Sequence, residues 1–205
     1  AALKVAPKHR TSPDLLADTL EWNQGGWPDF ALYYPIFAAA PDAAIFGGAL
    51  PRDEVRRAIE DGAAMVFGDA AVLFGLDQAL PDDQLDARLV LQQDAHCGAL
   101  PDHLLPGMVE AQRLRDAALA KATVAAFEHA RASSDTPQVV VITGNGHARD
   151  DWGMPVMLRR YFADGPSVSI ATLGQYEVEA PVQPPVTHVF VTDPVDRPDP
   201  CETFR

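Results

Sequence analysis

Gln138-Val139-Val140-Val141-Ile142-Thr143-Gly144-Asn145-Gly146-His147-Ala148-Arg149-Asp150-Asp151-Trp152-Gly153-Met154-Pro155 is the stretch whose reading decides the fold. Val139 to Ile142 are consecutive β-branched residues bounded by Pro137 and a glycine pair, so they predict a strand buried on both faces, as in the middle of a parallel sheet. Gly144 and Gly146 let the chain turn tightly and set His147 just beyond the strand's carboxyl end, where open α/β sheets bind ligands. On spacing alone, a glycine-rich turn carrying a surface histidine reads equally well.

The longest helical pattern lies just upstream, from Pro106 to about Arg131. At 100° per residue, Glu110, Arg113, Lys121 and Glu128 gather on one side and mark solvent. The opposite side carries Met108, Gln112, Arg115, Asp116 and Leu119, so Gln112 and Arg115 are expected to point inward. A buried guanidinium needs a carboxylate or a ligand group, and Asp94, Asp150 and Asp151 are the candidate partners. Asp116, adjacent to Arg115 on the helix, diverges from it by 100° and is set aside.

The remaining chain alternates helices and strands. Ser12-Pro13-Asp14 supplies an N-cap, a proline at the first helical position and an early acid, predicting a helix to about Asn23 that Gly25-Gly26 ends. Phe30, Tyr33, Tyr34 and Phe37 then form an aromatic stripe on a second helix despite Pro35. Ala43 to Leu50 reads as a short strand, Pro51 opens a helix to about Glu60, and Leu80-Pro81-Asp82 opens another to about Asp94. Asp61 to Leu80 is apolar with glycine interruptions. Val156 to Phe162 reads as helix, Val168 to Leu173 and His188 to Val191 as strands, and Pro194 to Arg205 as an extended tail. The expected fold is α/β, a mainly parallel sheet flanked by helices, in one domain over residues 1–205 with room for a helical excursion.

Composition narrows the function classes. A formal charge of −13 with no basic tract argues against nucleic-acid binding, which needs clustered Lys and Arg. No apolar run approaches the roughly 20 residues of a membrane span. The chain begins Ala1-Ala2 without methionine and reads as part of a longer product, a removed signal segment being compatible with this.

Motif chemistry is sparse. Arg149 stands where a third glycine of a nucleotide-cradling loop belongs, and there is neither a Gly-Lys-Ser/Thr nor a Gly-x-Ser-x-Gly sequence. His96 and His147 each follow an expected element, and with Asp94, Asp150 or Asp151 they suggest a metal site. A thiolate pair of Cys97 with the adjacent His96 is disfavoured, because neighbouring side chains rarely point at one another.

These details together resemble one family. His96-Cys97-Gly98 with Leu100-Pro101, Gln112-Arg113-Leu114-Arg115-Asp116-Ala117, Gly144-Asn145-Gly146-His147-Ala148, Gly153-Met154-Pro155 and Asp199-Pro200-Cys201-Glu202 look like the ChaN family, with Gly26-Trp27-Pro28 and Leu50-Pro51-Arg52 in support. Its members are haem-binding proteins of bacterial iron uptake, grouped with Tiki proteins and erythromycin-esterase-like hydrolases. The likeness runs from Leu20 onward. The family's opening strand and Gly-Glu-x-x-His stretch have no counterpart here, so chemistry requiring them is left unassigned.

The resemblance implies haem, iron protoporphyrin IX, bound at an exposed apolar face. It implies a tyrosinate on the iron, a homodimer that shares haems, and an outer-membrane haem receptor as partner. Export follows from it too, to the periplasm or to a lipid anchor on the outer membrane. Phenolate is a hard donor suited to ferric iron, and Tyr33, Tyr34, Tyr161 and Tyr176 are available. Tyr34 is favoured because the aromatic stripe beside Trp27 offers porphyrin stacking. Tyr33, His96, Gln112, Arg115 and His147 complete the candidate haem-binding set. The alternative is a metal-dependent hydrolase using His96 and His147 with Arg115; a partner-binding domain without a ligand stands as the third reading.

The cysteines offer a separate expectation. The proline-rich tail has little apolar surface with which to dock, so a Cys97–Cys201 disulfide is expected in an exported protein. In a reducing compartment the same residues would be free thiols.

Overall fold

A computed structural model describes every residue except Ala1, Lys4, Gly26, Pro200 and 203–205. Gly26 and Pro200, which belong to two of the quoted motifs, and the end of the tail thus lie outside the described residues. The chain forms two compact units, Ala1–Gly47 with Ala125–Val139, and Gly48–Val124 with Val140–Arg205.

The first unit is built on short helices, α1 (Pro7–Arg10), α2 (Pro13–Thr19) and α3 (Tyr34–Ala39). Ser12 caps α2 by accepting from the Leu15 N–H, and Pro13 occupies its first turn, as the sequence predicts. The helix ends earlier than expected, and a 3-10 turn at Trp22–Gln24 follows. Pro35 falls in the first turn of α3, where its missing N–H costs nothing. Leu16, Ala17 and Phe30 form the buried centre, with Trp22, Tyr33, Tyr34, Phe37 and Ile45 packed around them. The aromatic stripe is therefore core, with both tyrosines half-buried. Ala43 to Leu50 does not form a strand; Ile45 makes only an isolated antiparallel bridge with Leu3.

The second unit packs α4 (Arg52–Asp61), α5 (Ala63–Phe67) and α6 (Asp82–Ala95) with most of the long α7 (Leu105–Arg131). Two further helices follow, α8 (Asn145–Ala148) and α9 (Met154–Tyr161). The buried face of α7 includes Leu105, Val109, Ala111, Leu114, Ala117 and Ala120. Gly107 is needed there, because an added Cβ would lie 2.6 Å from the Ile59 carbonyl oxygen on α4. Strands β1 (Leu173–Glu177) and β2 (His188–Thr192) pair in parallel, Gln175 facing Phe190, so the α/β class with a parallel sheet is observed.

Two sheet expectations are corrected. Val139–Ile142 joins no strand pair among the described residues, and Val140 is 84% and Ile142 49% exposed. β-branched residues favour an extended chain, but burial on both faces needs neighbouring strands and helices that this stretch does not have. The strand expected at Val168–Leu173 begins only at Leu173.

Cys97 and Cys201 form a disulfide with α-carbons 5.6 Å apart, tying the tail to the turn after α6. Cys97 takes a left-handed backbone (φ 58°), followed by Gly98 at φ 68°, which turns the chain at the α6 terminus. The bond spans a sequence separation of 104, for which the entropic model gives about 4 to 5 kcal/mol. Cys97→Ser is expected to lower denaturant stability by up to about that amount, and a dithiol should do the same to the wild type. Equal stability with and without reductant would contradict this.

Candidate functional site

The helix α7 presents two buried polar groups rather than one apolar face. One turn holds Glu110 and Arg113. Arg113 donates to Glu110 at 2.7 Å and to the carbonyls of Gly75, Leu76 and Gln78, while Glu110 accepts from the Ala63 N–H at the start of α5. These bonds explain why Arg113 is buried, against its expected place on the solvent side. Arg115, expected inward, is exposed and forms no hydrogen bond or ion pair among the described residues. The inward expectation for Arg115, and with it a carboxylate partner among Asp94, Asp150 and Asp151, is corrected.

One turn on, Asp116 is 0% exposed and its Oδ1 lies 2.6 Å from His147 Nδ1. With Oδ1 accepting from Nδ1–H, the ring keeps its lone pair on Nε2. His147 is partly exposed, and Nε2 has no partner among the described residues. Burial pushes the Asp116 carboxyl above its ordinary range; the hydrogen bond and charge of His147, then the charges of Arg88 and Arg115, offset part of that rise. Asp116 Oδ2 is buried without a hydrogen bond.

Around this pair lies a shell drawn from α6 and the α8–α9 turn. Gln92 donates to Gln112 at 2.7 Å, and Gln112 donates to the Gly146 carbonyl at 3.4 Å. His96, at the end of α6, places Nδ1 2.8 Å from the Gln92 carbonyl. Arg88 donates to the Trp152 carbonyl, yet its Nε and Nη1 are buried without partners. Burial pushes its guanidinium down to about 10, with the charge of Asp116 opposing the shift. Arg149 stacks 3.7 Å from the centre of the Trp152 ring. Gly153 closes the turn, since a Cβ there would meet the His147 carbonyl oxygen at 2.5 Å.

The structure thus links Gln112, His147 and His96 through Gln92 and the Gly146 carbonyl and leaves Arg115 on the outside. Asp94 is exposed. Asp150 pairs with Arg159 and Thr172, and Asp151 with Arg149. Among the described residues, no group of three or more His, Cys, Asp or Glu is placed to hold a metal ion. Sequence reasoning missed Asp116 as the partner of His147, although its place four residues after Gln112 put both on one face. It missed Arg88 entirely.

The tyrosines sit in different surroundings. In the first unit the Tyr34 hydroxyl donates to the Arg10 carbonyl over a long 3.4 Å, and Tyr33 packs 4.8 Å from the Trp22 ring. Trp27 is 55% and Leu32 71% exposed, with Ile36 also on the surface. In the second unit Tyr161 stacks on Phe74 at 5.6 Å, and the Tyr176 ring covers Gly174.

Comparison with known proteins adds one match. The model of a family described as haem-binding uptake, Tiki superfamily, ChaN, matches residues 2–158. No curated protein and no solved structure matches.

A carboxyl whose folded pKa is raised binds more protons folded than unfolded between the two values. Its contribution is fully favourable below the unfolded pKa, about 4, and is lost as pH rises to the folded pKa. Denaturant unfolding across this range should show wild-type stability falling with pH more steeply than in Asp116→Asn. Equal slopes in the two proteins would contradict the burial argument.

Proposed function

The chain belongs to the haem-binding uptake family of the Tiki superfamily, ChaN, and from that premise we propose that it binds ferric haem through a tyrosinate, with Tyr34 as the ligand. The observation that carries this reading is the exposed apolar surface of Trp27, Leu32 and Ile36 in the unit that holds Tyr33 and Tyr34. Apolar side chains left in solvent give the face of a porphyrin something to cover. The donor set fits. Tyr34 spends its hydroxyl on a single hydrogen bond at the long limit of such contacts, so little is lost when the oxygen turns to iron. Bound haem would supply a ferric centre that accepts this hard oxygen.

The same reading extends to export, to the periplasm or to a lipid anchor on the outer membrane. The Cys97–Cys201 disulfide supports an oxidising compartment. A homodimer sharing haems and an outer-membrane haem receptor as partner belong to this reading through the family's uptake role. Haem binding is preferred to metal-dependent hydrolysis on His96 and His147, because the described residues place no group of three or more His, Cys, Asp or Glu to hold a metal ion.

Hemin titration followed by visible spectroscopy tests the proposal. Wild type should give a saturable Soret band with a high-spin ferric tyrosinate component. Tyr34→Phe should remove that component while circular dichroism shows the fold retained. A tyrosinate signature that survives in Tyr34→Phe would move the ligand to another tyrosine.

A further inference from the structure

The family match ends at residue 158, so the parallel pair of β1 and β2 lies outside it, and the haem reading gives those strands no role. We propose that the outer edge of β2 is a docking site for an extended segment of another protein. That segment alternates apolar and basic residues and adds to the two-stranded sheet as a further strand.

The main chain supplies the first argument. Leu173 lies opposite His188 and Glu177 opposite Thr192 in the pair. The His188 N–H donates to the Thr172 carbonyl, and the Thr192 carbonyl accepts from the Val178 N–H. Main-chain groups along a strand face alternate sides, so His188, Phe190 and Thr192 bond to β1 while Val189 and Val191 turn their N–H and C=O groups outward. Those outward groups have no partner among the described residues. The opposite edge is closed. There the Asn145 side chain donates to the Gln175 carbonyl at 2.6 Å and accepts from the Gln175 N–H at 3.2 Å, as a neighbouring strand would. Edge strands are ordinarily blunted by lysine, proline or a covering element, and residues 188–192 contain neither lysine nor proline.

Side chains and charge identify the partner. A parallel sheet is ordinarily covered on both faces, yet Val189 is 40%, Phe190 56% and Val191 46% exposed. Beside the carboxyl end of the pair, Val178, Phe190, Val191, Thr192, Asp193 and Pro194 line an open concavity. From Leu173 to Asp199 the acids are Glu177, Glu179, Asp193, Asp196 and Asp199, against Arg197 alone among lysines and arginines, and Arg197 is paired with Glu177. Glu179, Asp193 and Asp196 are exposed and form no ion pair among the described residues. Such a rim attracts a basic segment, whereas a second copy of a chain with a formal charge of −13 is repelled by it. The apolar residues of the added strand cover the exposed side chains of β2 while its alternate main-chain groups bond to Val189 and Val191.

Fluorescence polarisation of a labelled peptide alternating valine and lysine, titrated with the full chain, tests the proposal. Wild type should bind it saturably. A copy N-methylated throughout, equal in charge but unable to donate to the edge, should bind about tenfold more weakly. Val191→Pro removes an outward N–H and leaves the bonds to β1 in place, so it should weaken binding by about tenfold while circular dichroism shows the fold retained. Asp193→Lys should also weaken binding, more at low salt than at high salt. If Val191→Pro does not fold, the two peptides compared on wild type decide alone. The inference is overturned if the peptide shows no saturable binding, if the N-methylated copy binds equally well, or if folded Val191→Pro or Asp193→Lys binds as wild type does. It is overturned too if wild type forms a dimer that Val191→Pro dissociates, since the occupant of the edge is then a second copy.

Discussion

A carboxylate removed from water has to be compensated where it sits, and in this protein that requirement falls on Asp116. The residue projects from the middle of a 27-residue helix into a space with no solvent contact. Desolvation of an unpaired charge costs several kcal/mol, so the helix can occupy this position only if a donor is brought to it. His147 is that donor, delivered by the glycine turn after Thr143. The turn is held in its own place by Gly153, by the Gln112 contact with Gly146 and by the stack of Arg149 on Trp152.

The same helix solves the problem differently one turn earlier. Glu110 and Arg113 neutralise one another at short range and bond further to main-chain groups of Ala63, Gly75, Leu76 and Gln78. That network turns inward, onto the main chain. Among the described residues the Asp116 network is open at both ends, with an unpartnered Oδ2 on the inside and an Nε2 without a partner at the partly exposed ring. Two buried ionic groups on one helix thus divide into a structural clamp and a chemically available site.

Helices and their caps were legible in the sequence because their signals are local. Ser12-Pro13, Pro51 and Pro81 mark helix starts in the structure, and the 3.6-residue pattern set the bounds of α7 within a residue. Val139–Ile142 misled because a β-branched run reports conformation, whereas burial depends on which strands lie beside it. Arg113 and Arg115 exchanged places for a related reason. A helical wheel sorts residues by angle, but whether a guanidinium is buried is decided by distant carbonyls such as those of Leu76 and Gln78. The Asp116–His147 pair joins residues 31 positions apart, so no local spacing announces it. The family likeness was legible from short motifs spread over the chain, and the family match over residues 2–158 takes in all of them except Asp199-Pro200-Cys201-Glu202.

The central claim is that Asp116 holds the His147 proton on Nδ1 and leaves Nε2 free. The most direct measurement is the nitrogen–proton correlation spectrum of the His147 ring at neutral pH in wild type and in Asp116→Asn. The account predicts a protected proton on Nδ1, far downfield, that moves upfield when the carboxylate becomes an amide of lower polarising power. A ring protonated at Nε2, or a spectrum indifferent to the substitution, would contradict it.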